Sequence, residues 1–265
     1  MLSVEELSKR YGATVAIERI DFSIAAGEFV CIVGPSGCGK TTLLKCVAGL
    51  LAPSSGRVFL HGQEVVGPPR QMALVFQDYS RSLLPWMSVQ ANVALPLHAR
   101  GLSAEERRTL VTDGLASVGL EGFDRHYPWQ LSGGMQQRVA MARALAYQPE
   151  ILLMDEPFAS VDAQTRSDLE DLLLSVWRRL RITVLFVTHD IDESVYLADR
   201  VVVLGSRPAK VDEILSVGLS RPRDQVGTKE QPEFVHLRAH IYTAIKRTPL
   251  GPTAAAGDAA ASPEA

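Results

Sequence analysis

Along the chain, short apolar runs alternate with longer stretches in which apolar positions recur three and four residues apart. Phe29–Val33, Met72–Phe76, Ile151–Met154, Thr183–Val187 and Val201–Leu204 are bounded by turn residues and predict buried strands. Between them, Leu169, Leu172, Leu173, Val176, Trp177 and Leu180 keep helical spacing, with Asp162 placed as the N-cap. Strand–helix alternation of this kind predicts an α/β fold around a mostly parallel sheet. Nearer the N-terminus, Ile20, Phe22 and Ile24 alternate with Asp21 and Ser23, and residues 56–62 suggest part of an antiparallel hairpin. From Ser88 to Ser132 the patterning is helical and contains no strand. There Ser103 and Glu106 have capping-box spacing ahead of Leu110, Val111, Leu115 and Val118. A helical insertion between two core strands is the expectation. Phe234, Leu237, Ile241 and Ile245 predict one more amphipathic helix, and the alanine-, proline- and glycine-rich end is expected to be a disordered tail. The expected division is a main domain over residues 1–225 with the helical part inserted at about 88–145, a C-terminal helix over 226–248 and the tail over 249–265.

Composition narrows this mainly by exclusion. The 265 residues are 46% hydrophobic and 22% charged, ordinary for a folded chain large enough to need no disulfide or metal staple. Twenty-seven basic against 30 acidic residues leave a net charge of −3 and no basic stripe, which argues against nucleic-acid binding driven by phosphate neutralisation. No apolar run approaches the length of a membrane span, and the first residues carry two glutamates where a signal peptide needs a positive region. Cys31, Cys38 and Cys46 are odd in number and lack metal or redox spacing, so a reducing cytoplasm is expected.

Three motifs carry chemistry. Gly34-Pro-Ser-Gly-Cys-Gly39-Lys40-Thr41 fits G-x-x-x-x-G-K-[ST], follows the strand Phe29–Val33 and precedes helically spaced Leu43, Leu44, Val47 and Ala48. Glycines let successive backbone N–H groups turn inward, and the helix N-terminus adds partial positive charge facing a phosphate. Lys40 is placed for the β- and γ-phosphates and the Thr41 hydroxyl for Mg²⁺. The strand Ile151–Met154 then runs into Asp155 and Glu156. Neighbouring side chains of an extended strand point opposite ways, so the two carboxylates divide their roles: Asp155 near the Mg²⁺ shell, Glu156 to orient or deprotonate the attacking water. On their own, two charges at a strand end mean little; behind a phosphate loop they gain a purpose. Finally, Leu131-Ser132-Gly133-Gly134-Met135-Gln136-Gln137-Arg138 opens a helical pattern and offers a second anion-binding nest.

That last string resembles the signature of the ATP-binding cassette family, and the rest of the family's pattern follows in order over about residues 2–220. The resemblance implies an ATPase of P-loop α/β fold, with an N-terminal antiparallel β part and an inserted α-helical part. Its nucleotide site would comprise Tyr11, which stacks on adenine, the loop Gly34, Pro35, Ser36, Gly37, Cys38, Gly39, Lys40, Thr41 and Thr42, and the nest Ser132, Gly133 and Gly134. Gln77 would contact Mg²⁺ and water, alongside Thr41 and Asp155. Glu156, His189 and Gln77 would serve catalysis, and Ser160-Val161-Asp162 would form a loop crossing a dimer interface. Met135 and Val161 replace a commoner glutamine and leucine without touching the chemistry.

The family's arrangement implies a homodimer holding two ATP molecules, each between the phosphate loop of one copy and the signature nest of the other. It further implies integral membrane permease subunits, a periplasmic or extracellular solute-binding protein, no nucleic-acid partner, and a peripheral location on the cytoplasmic face of the membrane. Phe76-Gln77-Asp-Tyr-Ser-Arg-Ser-Leu-Leu-Pro85-Trp86, Asn92-Val93, Asp155-Glu-Pro-Phe158, Asp162-Ala-Gln-Thr-Arg166, Thr188-His-Asp-Ile-Asp-Glu193 and Ser206-Arg-Pro208 resemble the importer group serving nitrate, taurine and alkanesulfonates. Leu83, Leu84 and Trp86 are either ordinary core or part of a groove for a permease helix. Beside an importer ATPase for another substrate class, two alternatives stay open: a soluble cassette ATPase acting on DNA or ribosomes, and a nucleotide kinase or other phosphotransferase. The first commonly separates its motifs by long coiled coils or carries two cassettes, whereas Lys40 and Asp155 lie 115 positions apart in a single cassette. The second needs neither Leu131–Arg138 nor His189.

Overall fold

The computed structural model describes residues 1–77 and 82–247; residues 78–81 of the quoted importer motif and the expected tail lie outside them. Among the described residues ten strands form one continuous sheet. They are β1 (Leu2–Tyr11), β2 (Thr14–Ile24), β3 (Phe29–Val33), β4 (Ser55–Leu60), β5 (Gln63–Glu64), β6 (Met72–Val75), β7 (Ile151–Asp155), β8 (Thr183–Val187), β9 (Arg200–Leu204) and β10 (Ala209–Ser216). Their order across the sheet is β5-β4-β1-β2-β10-β9-β3-β8-β7-β6. The half from β9 to β6 is parallel, and β1, β2, β4 and β5 are antiparallel. Strand β10 joins the halves, running antiparallel to β9 and parallel to β2.

All five residues of β3, β7 and β8 are buried, the mark of parallel strands covered on both faces. Their side chains divide by alternation. Phe29, Cys31 and Val33 join one apolar cluster with the helices α4 (Gly133–Ala146), α5 (Ala163–Leu180) and α6 (Ile191–Leu197). Val30 and Ile32 join another beneath β1, β2 and α1 (Lys40–Val47). The alternating pattern of residues 20–24 lies in β2, with Ile20, Phe22 and Ile24 buried.

Between β6 and β7 the described chain is helical, as the patterning predicts. The helix α2 (Val89–Ala94) is followed by a 3-10 segment and by α3 (Ala104–Ser117). At the start of α3 the Ser103 hydroxyl accepts from Glu106 N, and the Glu106 carboxylate accepts from Ser103 N. Both halves of the capping box are therefore made, and each satisfies a donor that the first turn leaves free. Asp162 caps α5 by accepting from Thr165 N at 3.0 Å. The helix α7 (Pro232–Arg247) buries Phe234 and Ile241 against the larger cluster. Leu180 ends α5 as the pattern predicts but is exposed there, and of its two readings Leu83 takes that of buried core. Among the described residues, no helix is long and apolar enough to cross a membrane.

Candidate active site

The carboxyl ends of β3, β7 and β8 lie side by side, in register through Ile32–Val187 and Asp155–Val187. Each strand hands the chain to a loop there, which gathers residues far apart in sequence. After β3 comes the glycine loop, then α1. Gly39 occupies the helix cap with φ 123°, where an L side chain is strained, and its missing Cβ would stand 3.2 Å from the Ala16 carbonyl. No side chain caps α1, so its first-turn N–H groups face the loop as anion donors. The Lys40 ammonium, almost wholly buried, curls back to donate to Gly34 O at 2.9 Å and Pro35 O at 3.1 Å.

Asp155 ends β7, and Thr41 Oγ1 donates to its Oδ1 at 3.2 Å. Burial raises the Asp155 pKa, and the Thr41 hydrogen bond partly opposes that rise. Glu156 departs from the strand reading. Its φ is 42°, so the two carboxylates diverge because the backbone turns left-handed after β7, rather than through strand alternation. Glu156 N donates to Val187 O at 2.8 Å, which holds that turn against β8. Its carboxylate is the hub of the site: Oε2 lies 2.9 Å from His189 Nδ1 and accepts from Gln77 Nε2 at 3.2 Å, while Oε1 is 3.8 Å from Lys40 Nζ. Lys40, Thr41, Gln77, Asp155, Glu156 and His189 are thus brought together from four segments.

The hard oxygens of Thr41 and Asp155 suit Mg²⁺. Among the described residues no cluster of three or more His, Cys, Asp or Glu side chains could hold a metal alone. An ion here would complete its shell with water and phosphate oxygens, as Mg²⁺ commonly does. Cys38 is buried, and burial raises its thiol pKa; it serves as packing beneath the loop.

Two groups stand apart from this cluster. Tyr11 is half exposed at the tip of the β1–β2 hairpin, paired with Thr14, with the Lys9 ammonium 5.4 Å over its ring. That hairpin continues into Ala16, the residue that touches the cap of α1. Ser132, Gly133 and Gly134 lie at the start of α4, where the Ser132 hydroxyl accepts from Met135 N at 3.3 Å. A Cβ on Gly134 would sit 2.4 Å from Thr165 Cγ2, so any larger residue would have to displace that methyl for α4 to approach α5 this closely. Among the described residues no hydrogen bond or ion pair joins this nest to the Lys40–Glu156 cluster.

Sequence reasoning gives no role to two polar anchors. The side chain of Asn92, fully buried, accepts from Leu84 N and donates to the carbonyls of Leu84, Met87 and Ser88, fastening the loop that exposes Trp86. Arg143 on α4 donates to Ser82 O at 2.6 Å and to Ser82 Oγ at 2.9 Å, tying the signature helix to the segment beyond Gln77. The available signal for Arg143 is a charged residue between Ala142 and Ala144 in the otherwise apolar run 139–146.

Comparison with known proteins agrees with this geometry. Residues 17–159 match the family model described as ABC transporter. The nitrate import ATP-binding protein NrtD of Synechococcus elongatus is 47% identical, over 89% of this chain and 86% of its own. The taurine import ATP-binding protein TauB of Yersinia pseudotuberculosis is 42% identical, over 91% and 95%. A solved dimer of the ATP-binding cassette MJ0796, in a post-hydrolysis state with ADP and phosphate, superposes with a TM-score of 0.71. It is 33% identical, over 82% of this chain and 99% of its own. A phosphate loop, a carboxylate hub and a separate glycine nest, set on this sheet and matched by these relatives, mean that the chain belongs to the ABC transporter family and is one of its ATPases.

Proposed function

We propose that this chain is the ATP-hydrolysing subunit of an importer, working as a homodimer on the cytoplasmic face of a membrane beneath permease subunits fed by a solute-binding protein. One observation carries the reading. The cluster around Glu156 gathers its carboxylate, the His189 imidazole, the Lys40 ammonium and the Thr41–Asp155 oxygen pair, while the Ser132–Gly134 nest stands free of it in the same chain. A second copy supplies the missing nest.

In this mechanism Lys40 and the N–H groups at the start of α1 hold the β- and γ-phosphates. The Glu156 carboxylate orients and deprotonates the attacking water, with His189 and Gln77 keeping it in place. Mg²⁺ held by Thr41 and Asp155 would neutralise charge on the phosphate oxygens. While the γ-phosphate is attached, it binds Lys40, Gln77 and His189 of one copy and Ser132 and Gly134 of the other. Hydrolysis removes that shared ligand and adds charge repulsion, so the dimer opens. By linkage, closing and opening shift whatever is docked on the helical part. The names of the nitrate and taurine relatives support a small solute bearing an oxyanion group, of nitrate, taurine or aliphatic sulfonate type. Isolating the complex from its native membrane, identifying the permease and binding protein, and finding which solute stimulates ATP turnover would test that choice.

Mixing Lys40→Ala chains with Ser132→Arg chains tests the shared site. Each homodimer has two damaged sites, and the mixed dimer has one whole and one doubly damaged. ATP-dependent association is expected to be partly restored in the mixture, and turnover to stay below wild type. Full activity, or no gain over either variant alone, contradicts a site built from two copies.

Trp86 is nearly three-quarters exposed on the loop pinned by Asn92. Its place here is contact with a permease helix; Leu83, being core, has none. Trp86→Ala is expected to lower ATP-driven uptake and assembly with the permease. Unchanged uptake and assembly would remove Trp86 from that interface.

A further inference from the structure

We propose that Tyr127 and Trp129 form a stacking platform for the adenine of an ATP molecule carried by a second copy of the chain, extending the signature nest from the phosphates to the nucleoside. The proposal rests on the two-copy site described above. Trp129 is 69% exposed and Tyr127 39%. Their rings are nearly parallel, 18° apart with centroids at 6.0 Å, a stacked pair in which Tyr127 backs the more exposed Trp129.

A tight turn holds that pair. Pro128 fixes the backbone between the two rings. Gln130 N donates to Tyr127 O at 2.9 Å, Leu131 N donates to Pro128 O at 3.1 Å, and the Gln130 side-chain oxygen accepts from Tyr127 N at 2.8 Å. Such a platform binds with little ordering cost.

Its position selects the occupant. Trp129 lies three residues before Ser132, the N-cap of the signature helix. Three residues span at most about 10 Å, a reach comparable with the triphosphate and ribose separating a γ-phosphate from its base. A phosphate at the nest therefore brings the attached nucleoside within range of the indole. Base stacking on an aromatic ring is favourable and needs no hydrogen-bond match. Tyr11, the exposed aromatic of the hairpin beside the phosphate loop, would contact the same base from the copy that holds it.

The test uses full-length Glu156→Gln protein with ATP and Mg²⁺, measuring self-association by sedimentation and nucleotide binding by equilibrium titration. Trp129→Ala is added to it, with Trp129→Phe as the conservative variant and thermal melting to monitor the fold. A lost stack weakens each site about tenfold, and two sites per symmetric dimer raise the concentration for half-association about a hundredfold. Phenylalanine is expected to recover most of the loss. Nucleotide affinity of the separate chains should stay within twofold. Unchanged association of Trp129→Ala overturns the platform alone, also if that variant instead loses binding to permease. Failure of Glu156→Gln itself to associate with ATP overturns the two-copy site and the platform with it.

Discussion

Glu156→Gln is expected to retain ATP binding while phosphate release falls by a hundredfold to ten-thousandfold, the usual contribution of a general base. Glutamine preserves the shape of the side chain but loses the negative charge and the capacity to take a proton. The left-handed backbone at Glu156 and the bond from its N–H to Val187 O do not depend on the carboxylate, so the loop should keep its form. The charge near Lys40 disappears, so ATP affinity should hold or rise, and dimers should accumulate closed. Phosphate release under saturating ATP, with affinity measured separately, checks both halves. Turnover within a few-fold of wild type would show that the attacking water is activated elsewhere.

Lys40→Ala is expected to act one step earlier. The ammonium is nearly buried and makes two hydrogen bonds to loop carbonyls, so it both shapes the loop and offers its charge to a phosphate. A charge-assisted hydrogen bond contributes about 1.5–3 kcal/mol, or about ten- to a hundredfold in affinity. With the Gly34 and Pro35 carbonyls also left without their donor, ATP affinity should fall by at least about a hundredfold. Titration with a fluorescent ATP analogue, beside a melting curve showing an intact fold, separates lost binding from lost structure. Wild-type affinity would contradict the loop's proposed role.

The parallel core was legible in sequence because its strands are buried on both faces and read as unbroken apolar runs. Strands β3 and β8 fall on the expected limits, while β6, β7 and β9 shift by one residue at one end. Strand β1 was harder. Its pairing with β2 slips between Val4 and Leu7 and again beyond Leu7, which breaks the period of two before it can be seen. Strand β10 puts the charged Glu213 at a partly buried position and the apolar Ile214 at an exposed one, and so presents too little apolar pattern. In the site, the carboxylate pair was visible, but its divergence depends on a left-handed residue that no side-chain pattern announces. The Asn92 and Arg143 anchors were hidden for a different reason. A buried polar group is defined by its partners, and those partners are backbone atoms of other segments.

Strand β10 gives the molecule a built-in ruler. By bonding to β2 on one side and β9 on the other, it welds the tip that carries Tyr11 to the slab that carries Lys40. In the proposed two-copy site, with the base at Tyr11 and the phosphates at Lys40, the span between the two ends of the cradle would thereby be fixed within each copy. Shortening or lengthening the nucleotide by one phosphate would then register at the far rim, where the neighbouring copy is proposed to meet it, and would leave the base where it was.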